Sequence, residues 1–233
     1  MVLHSIELEQ IALKKSIKFL GVYIDEFLTW KHHIGQINSK VARALFTINQ
    51  LKHLLPGNTL KTLYFALINP HLLYGILAWG NAKISLLGKT ITLQKRAVRT
   101  ISMSAYNSHT DPLFRKLEIL KVKDLYIAQV ALFMFDYTQN MLPISFRSLF
   151  KYNHEIQKRT TRQSHLLHIS KCHVNFSSNL PLYAFPKIWN KHVDQGQHAP
   201  SRSIFKSKHK QLYINSYSKT VKCKNKYCKD CRR

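Results

Sequence analysis

The chain has 233 residues, of which 36 are Lys or Arg and 11 are Asp or Glu, giving a formal charge of +25 at pH 7. Hydrophobic residues make up 45% of it, with 12 Phe, 11 Tyr and 3 Trp among them, which is far too apolar for a disordered basic tail, so a packed core is expected. With only 7 Gly, and neither GxGxxG nor GxxxxGK followed by Ser or Thr, folds that cradle nucleotides in glycine loops are excluded.

The charge is uneven: residues 1–150 carry 18 basic and 8 acidic side chains, residues 151–233 carry 18 and 3. Such a field repels the compact state and is best neutralised by a polyanion, where Lys and Arg gain affinity by releasing condensed counterions. Nucleic acid is therefore the expected partner, ahead of a merely solvated basic surface or an anionic membrane face. Residues 1–10 contain Glu7 and Glu9 and lack the basic start and apolar run of a secretory signal. The longest apolar stretch, residues 60–80, is interrupted by Lys61, Asn69, Pro70 and His71, short of the ~20 apolar residues of a spanning helix. Three of the four cysteines crowd into the last eleven residues, unlike a disulfide framework. An intracellular chain without a transmembrane segment, in nucleus or cytoplasm, is expected.

In chain order, residues 17–25 (IKFLGVYID) are β-branched and aromatic, predicting a strand with a bulge or close backbone approach at Gly21. From Trp30 the period changes. Ile34, Ile37, Val41, Leu45, Ile48, Leu51 and Leu55 recur every three or four residues, predicting a helix with Thr29 as its N-cap. Pro56 and Gly57 end it, Asn58 or Thr59 caps a second helix, and Leu60, Leu63, Tyr64, Leu67 and Ile68 carry that helix to Pro70. Residues 72–80 (LLYGILAWG) are apolar on every side and predict burial between helices. Ile84, Leu87, Ile91, Val98 and Ile101 mark another amphipathic helix, on whose other face Lys89, Thr92, Arg96 and Arg99 fall within about a quarter turn. Thr110, Asp111 and Pro112 signal a helix start, and Leu125, Ala128, Leu132 and Phe135 carry a later helix to about Met141. Beyond Pro143 the periodicity fades. Residues 180–189 are still too aromatic for a free linker and should dock on the helical body, whereas residues 202–233 are polar and basic.

The blocks FLGVYID (19–25), LTWKHHI (28–34), LYFALINPHLLYGILAWG (63–80), LQKRAVRTI (93–101), DPLFRKLEILKVKDL (111–125), TTRQS (160–164) and PKIWN (186–190), in this order, resemble the C-terminal part of reverse transcriptases from non-LTR retrotransposons of the jockey or LINE type. Each block alone is a weak apolar pattern; the specificity lies in their succession. The resemblance implies a mainly α fold, a helical thumb-like bundle preceded by a short β element and followed by an irregular basic C-terminal tail. It divides the chain into the end of a palm, strand or hairpin, over residues 1–28; a helical thumb-like domain over 29–141; a docked irregular or helical extension over 142–200; and a basic, Cys-containing tail over 201–233. It also implies an RNA-directed DNA polymerase whose catalytic carboxylates lie upstream, because the family's F/Y-x-D-D turn is absent here. Asp25-Glu26, the one adjacent acidic pair, sits where a turn residue and a helix-start charge are ordinary. Magnesium is accordingly expected only in the missing palm, and no catalytic residue in this chain. The implied partners are an RNA/DNA template–primer duplex and that palm, and the chain alone is expected not to polymerise. The alternative is a self-standing nucleic-acid-binding or interaction module with no polymerase role.

Lys89, Lys95, Arg96 and Arg99 are the candidates for phosphate contact, since a cationic helix face can follow a backbone without reading bases; the same face could equally be a solvated one. Trp30, Trp79 and Trp189 are flat enough to stack on bases, yet sit among apolar residues as core side chains do, and His32, His33 and His71 read as structural. Cys223, Cys228 and Cys231 form C-x4-C-x2-C, in which two thiolates can reach one ion and neighbouring lysines favour deprotonation. Zinc suits such a site, with a fourth ligand from His209, Cys172, His173 or beyond; the alternative is exposed reduced cysteines in a basic tail.

Overall fold

A computed structural model describes residues 15–156, 161–171, 180–192 and 200–217. The apolar run at its start folds back on itself: β1 (Ser16–Phe19) and β2 (Val22–Asp25) form a two-stranded antiparallel hairpin in which Ile17 faces Ile24 and Phe19 faces Val22. Leu20 and Gly21 make the reversal, both at positive φ (45° and 82°), as the mirror-image turns of tight hairpins demand. The one strand read over residues 17–25 is thus corrected to a hairpin, the second of the two forms, strand or hairpin, expected for the start of the chain, with Gly21 in its turn. A leucine in the left-handed region is uncommon, which is why the turn left no ordinary signature. Each strand finds its partner in the other.

Entry into α1 (Lys31–Leu51) is governed by Asp25. Its carboxylate accepts the backbone N–H of Thr29 at 2.8 Å and of Trp30 at 2.8 Å, donors that the helix start would otherwise leave unsatisfied. Thr29 is therefore not the cap: Trp30 occupies that position without a side-chain cap bond, and the Thr29 hydroxyl accepts only the Lys31 N–H, at 3.4 Å. Burial works to raise the Asp25 carboxyl, but the N–H bonds from Thr29 and Trp30 outweigh it and hold the group below its ordinary value. The stripe on α1 buries Ile34, Ile37, Val41 and Ile48, with His33 and Asn38 beside them.

α2 (Gly57–Leu63), a π turn (Tyr64–Ile68) and α3 (Asn69–Leu73) run on without the expected stop at Pro70. Pro70 lies in the first turn of α3, where its missing N–H costs nothing, and the wider π turn relieves the clash its ring would make in an α-helix. The break comes instead at Gly75, φ 62°, before the single turn α4 (Ile76–Trp79). Because the chain bends there, residues 72–80 are not buried on every side. Leu72, Ile76 and Trp79 enter the core while Leu73 and Tyr74 face outward, and the Tyr74 hydroxyl donates to the Leu20 carbonyl, tying this bend to the hairpin.

α5 (Ile84–Ile101) packs along α1, burying Leu87, Leu93, Ala97, Val98 and Ile101 and leaving Ile84 exposed. α6 (Asp111–Leu117) begins with Asp111 and Pro112 in its first turn. The centre of the molecule is α7 (Val122–Thr138), buried nearly all round from Val122 to Asp136. α3, α4 and α5 touch it, and so do two helices later in the chain. After a 3₁₀ turn (Ile144–Phe146) and the short α8 (Asn153–Ile156), α9 (Pro181–His192) lays Ala184, Phe185 and Trp189 into the core.

The irregular C-terminal tail expected from residue 201 is corrected over its first part: α10 (Arg202–Ser216) is a helix packed on α7 and α6. Phe205, His209, Ile214 and Tyr217 are buried along it, a stripe disguised in sequence because one member is a histidine and Lys and Ser fill the gaps. The Arg202 guanidinium Nε donates to both Asp136 oxygens, at 2.7 and 3.0 Å, fastening α10 to α7. Among the described residues no helix is long and apolar enough to cross a membrane.

Candidate nucleic-acid interface

The outward residues of α5 are decided by what its inward side chains hold. Thr90 donates its hydroxyl hydrogen to Asn38 Oδ1 at 2.7 Å, both residues buried. Gln94, 1% exposed, uses three hydrogen bonds: Nε2 donates to the Tyr64 hydroxyl and the Leu120 carbonyl, each at 2.9 Å, and Oε1 accepts the Val122 N–H at 3.0 Å. Unpaired polar groups at this depth are costly, so the network fixes the rotation of α5 against α1 and α7. It was missed in sequence, where Thr90 and Gln94 read as polar filler; the signal available was a threonine and a glutamine four apart on the apolar side of the helix.

With the rotation set, the four basic candidates divide. Lys89 and Arg96 are exposed and, seven residues apart, share one ridge, about two turns from end to end. Arg99 is half-buried, its Nε donating to the Ser108 carbonyl at 2.9 Å. Arg96 and Arg99 line one groove between α5 and the end of α1, about 790 Å³, together with Phe46, Lys52, His53 and Tyr106. None of the lining residues is acidic. Lys95 lies apart, in a second cleft with Asp111, Lys121 and Asp124. Phe46, Lys52, His53 and Tyr106 were not nominated from sequence; an aromatic residue beside the core stripe of α1, at Phe46, was the only hint.

The second cleft is a structural cluster. Lys121 pairs with Asp111 at 2.9 Å and its ammonium lies 4.3 Å from the Tyr217 ring centroid. The Tyr217 hydroxyl donates to Asp124 Oδ2 at 2.6 Å and accepts the Lys121 N–H at 3.1 Å. Burial raises the Asp124 carboxyl, with the Tyr217 bond and the Lys121 charge opposing it.

Trp79 and Trp189 are buried, and the Trp79 indole N–H donates to the Tyr74 carbonyl at 2.9 Å, so neither ring is open to a base; Trp30 is half-buried. His33 is buried, its Nδ1 accepting the Tyr23 N–H at 3.4 Å, and burial followed by the charges of Lys40 and His32 lowers its proton affinity. His32 stands over the Tyr23 ring at 4.4 Å, and His71 is half-buried near the charges of Lys40 and Arg43. Cys223, Cys228 and Cys231, like Cys172 and His173, lie outside the described residues. His209 is within them, buried between the rings of Phe205 and Tyr213 at 5.4 and 5.2 Å. Among the described residues no group of three or more His, Cys, Asp or Glu side chains gathers as a metal site would require.

No family model and no solved structure matches the chain. Three curated proteins are similar to it. The RNA-directed DNA polymerase from mobile element jockey of Drosophila melanogaster is 32% identical over 114 residues, 47% of this chain and 12% of that protein. The probable RNA-directed DNA polymerase from transposon BS of the same organism is 32% identical over 127 residues, 51% of this chain and 14% of that protein. The tRNA modification GTPase MnmE of Parabacteroides distasonis is 27% identical over 168 residues, 69% of this chain and 35% of that protein. The tripeptide GKT at residues 88–90 does not make the last likeness a phosphate-binding loop. Lys83 stands where the first glycine of that loop belongs, and the tripeptide lies inside α5 with Thr90 buried against Asn38. The chain spans about an eighth of the length of the two polymerases. Two mobile-element polymerases at the same identity, over about half the chain, identify it as carrying a region like that of the reverse transcriptases of non-LTR retrotransposons.

Proposed function

We propose that this chain is the thumb-and-tail part of a mobile-element RNA-directed DNA polymerase, that it grips the template–primer duplex through the basic ridge of α5, and that polymerisation depends on carboxylates in a palm outside it. The observation that carries this reading is the placement of Lys89 and Arg96 on one exposed ridge, with Arg99 beside it, on a helix whose rotation is locked by buried Thr90 and Gln94. Arg and Lys on such a ridge can meet successive phosphates, which fixes position on a duplex without reading sequence. Among the described residues no three acidic groups converge as a two-magnesium centre needs, and Asp25 is engaged with the start of α1, Asp111 and Asp124 with Lys121 and Tyr217. The outer surface of the hairpin supports a longer parent protein, because Ile17, Phe19, Leu20 and nearby Phe27 are 60%, 62%, 75% and 69% exposed, an apolar patch that ordinarily marks a covered surface.

A second reading, a self-standing nucleic-acid-binding module, draws on the self-paired hairpin and on a core that runs without interruption from Ile34 to Tyr217. One pair of assays tests the nucleic-acid grip that both readings share. The purified chain should bind an RNA–DNA duplex with affinity falling steeply as salt rises, by a log–log slope near −0.9 per phosphate neutralised on B-DNA, and should add no nucleotide to a primer. Arg96→Gln with Lys89→Gln should flatten that slope by roughly two. Primer extension above background, or binding indifferent to salt, would overturn the proposal.

A further inference from the structure

The groove between α1 and α5 carries a feature that a duplex grip does not use. Two of its lining residues are aromatic rings held out in solvent: Phe46 is 65% exposed and Tyr106 is 77% exposed. Among the described residues neither ring stacks on another. What sets these two apart from other exposed apolar residues is that they line one groove with cations, and apolar groups that gather on a folded surface mark places that meet a ligand.

The position of Tyr106 is built rather than accidental. α5 ends at Ile101, and Met103 turns the chain through the left-handed region at φ 51°. That turn lets the Ser104 N–H reach back to the Arg99 carbonyl at 3.0 Å and the Met103 N–H to the Thr100 carbonyl at 3.2 Å, closing carbonyls that a helix end leaves open. A methionine at positive φ is strained relative to glycine, so the geometry is maintained by its surroundings. The loop is then pinned from the other end: Ser108 is buried, its N–H donates to the Ala105 carbonyl at 3.0 Å, and its carbonyl accepts the Arg99 Nε at 2.9 Å. Arg99 thus holds the loop that carries Tyr106 while its own charge stays on the groove. Phe46 comes from the regular backbone of α1. Both rings are supported by fixed main chain, which lowers the ordering cost of binding.

The lining sets the occupant. Lys52, His53, Arg96 and Arg99 supply cationic or ionisable groups with no carboxylate among them, which calls for an anion. Flat apolar rings beside them call for flat apolar faces on that anion. In a duplex the base faces are already stacked on one another; only unpaired nucleotides offer a free face with a phosphate next to it. We infer that the α1–α5 groove is a binding site for an unpaired nucleic-acid strand, with Phe46 and Tyr106 stacking on bases and Arg96, Arg99 and Lys52 holding the phosphates between them. This rests on the proposed nucleic-acid function and adds to it a second, distinct grip adjoining the duplex ridge. A strand that leaves a duplex lying on α5 would enter the groove directly, with Arg96 common to both surfaces.

The test uses the full chain and three fluorescent probes, a short oligouridylate, an oligothymidylate of the same length and an RNA–DNA duplex, read by anisotropy at fixed low salt. Tyr106→Ala and Phe46→Ala should each weaken both single-stranded probes by about tenfold, the low end of what removing a stacking ring from a base costs, and leave the duplex within twofold. Tyr106→Trp should retain or improve single-strand binding. Both side chains are mainly solvent-exposed, so unchanged thermal melting is expected and confirms that the fold is intact. If the ring variants leave single-strand affinity unchanged, or lower the single-stranded and duplex probes alike, the stacking site is refuted while the duplex grip stands. If no probe binds the unaltered chain at low salt, the proposed function fails and the groove site with it.

Discussion

Gln94→Leu removes three hydrogen bonds from a buried position while nearly conserving side-chain volume. The Tyr64 hydroxyl loses a donor, the Leu120 carbonyl loses another, and the Val122 N–H loses its acceptor. Tyr64 is fully buried, and burial pushes its phenol well above the ordinary tyrosine range, so it remains a neutral hydroxyl with no water to turn to. Each buried polar group left unpaired costs about 1–3 kcal/mol. The apolar replacement recovers part of that by avoiding desolvation of the amide and by burying its own methyl groups, leaving an expected net loss of roughly 3–5 kcal/mol, a large part of the ~5–15 kcal/mol that stabilises a domain. Urea unfolding followed by far-UV circular dichroism should show the midpoint falling with its slope unchanged. Combining the change with Tyr64→Phe, which removes one of the orphaned groups, should destabilise less than the two single losses added, by a coupling of about 0.5–3 kcal/mol. A loss below about 0.5 kcal/mol, the range of ordinary surface substitutions, would show that Gln94 does not lock α5 and would remove the reason its basic ridge points where it does.

Gly80→Ala would place a methyl carbon 2.5 Å from Tyr126 Cδ2 and 2.6 Å from the Ile76 carbonyl oxygen, so a ring and a main chain must both move; a cost of about 1–3 kcal/mol is expected, and an unchanged melting temperature would contradict it. Asp25→Ala removes the carboxylate that accepts the Thr29 and Trp30 N–H groups, with a loss of about 1 kcal/mol at neutral pH as for other helix-start residues. Because the folded Asp25 carboxyl sits below its ordinary value of 3.8, its contribution is present above that pH and is lost as pH falls through the folded value. Unfolding curves of the two proteins should therefore differ at neutral pH and converge in acid; a gap that persisted there would assign the effect to something other than the charge.

Several features could be read directly from local pattern. The α1 stripe from Ile34 to Ile48 is one-dimensional information, as are the Thr110-Asp111-Pro112 helix start, the helical period of α5, the +25 charge and the exclusion of a glycine-loop nucleotide fold. Other features were hidden because a residue acted against its usual preference. Leu20 took a left-handed turn position, Pro70 was accommodated by a π turn, and a histidine served as a member of the buried stripe on α10.

The amino-acid order alone determined that this chain is cationic, mainly helical and patterned like part of a mobile-element reverse transcriptase. Which cations share a cleft was decided only in three dimensions. Lys95 and Arg96 are adjacent in the chain yet fall into different clefts, whereas Phe46 and Tyr106, sixty residues apart, line the same one. The physical reason is that a helix face acquires neighbours only when its rotation and crossing are set, and here buried contacts from Asn38, Tyr64, Leu120 and Val122 to Thr90 and Gln94 set them.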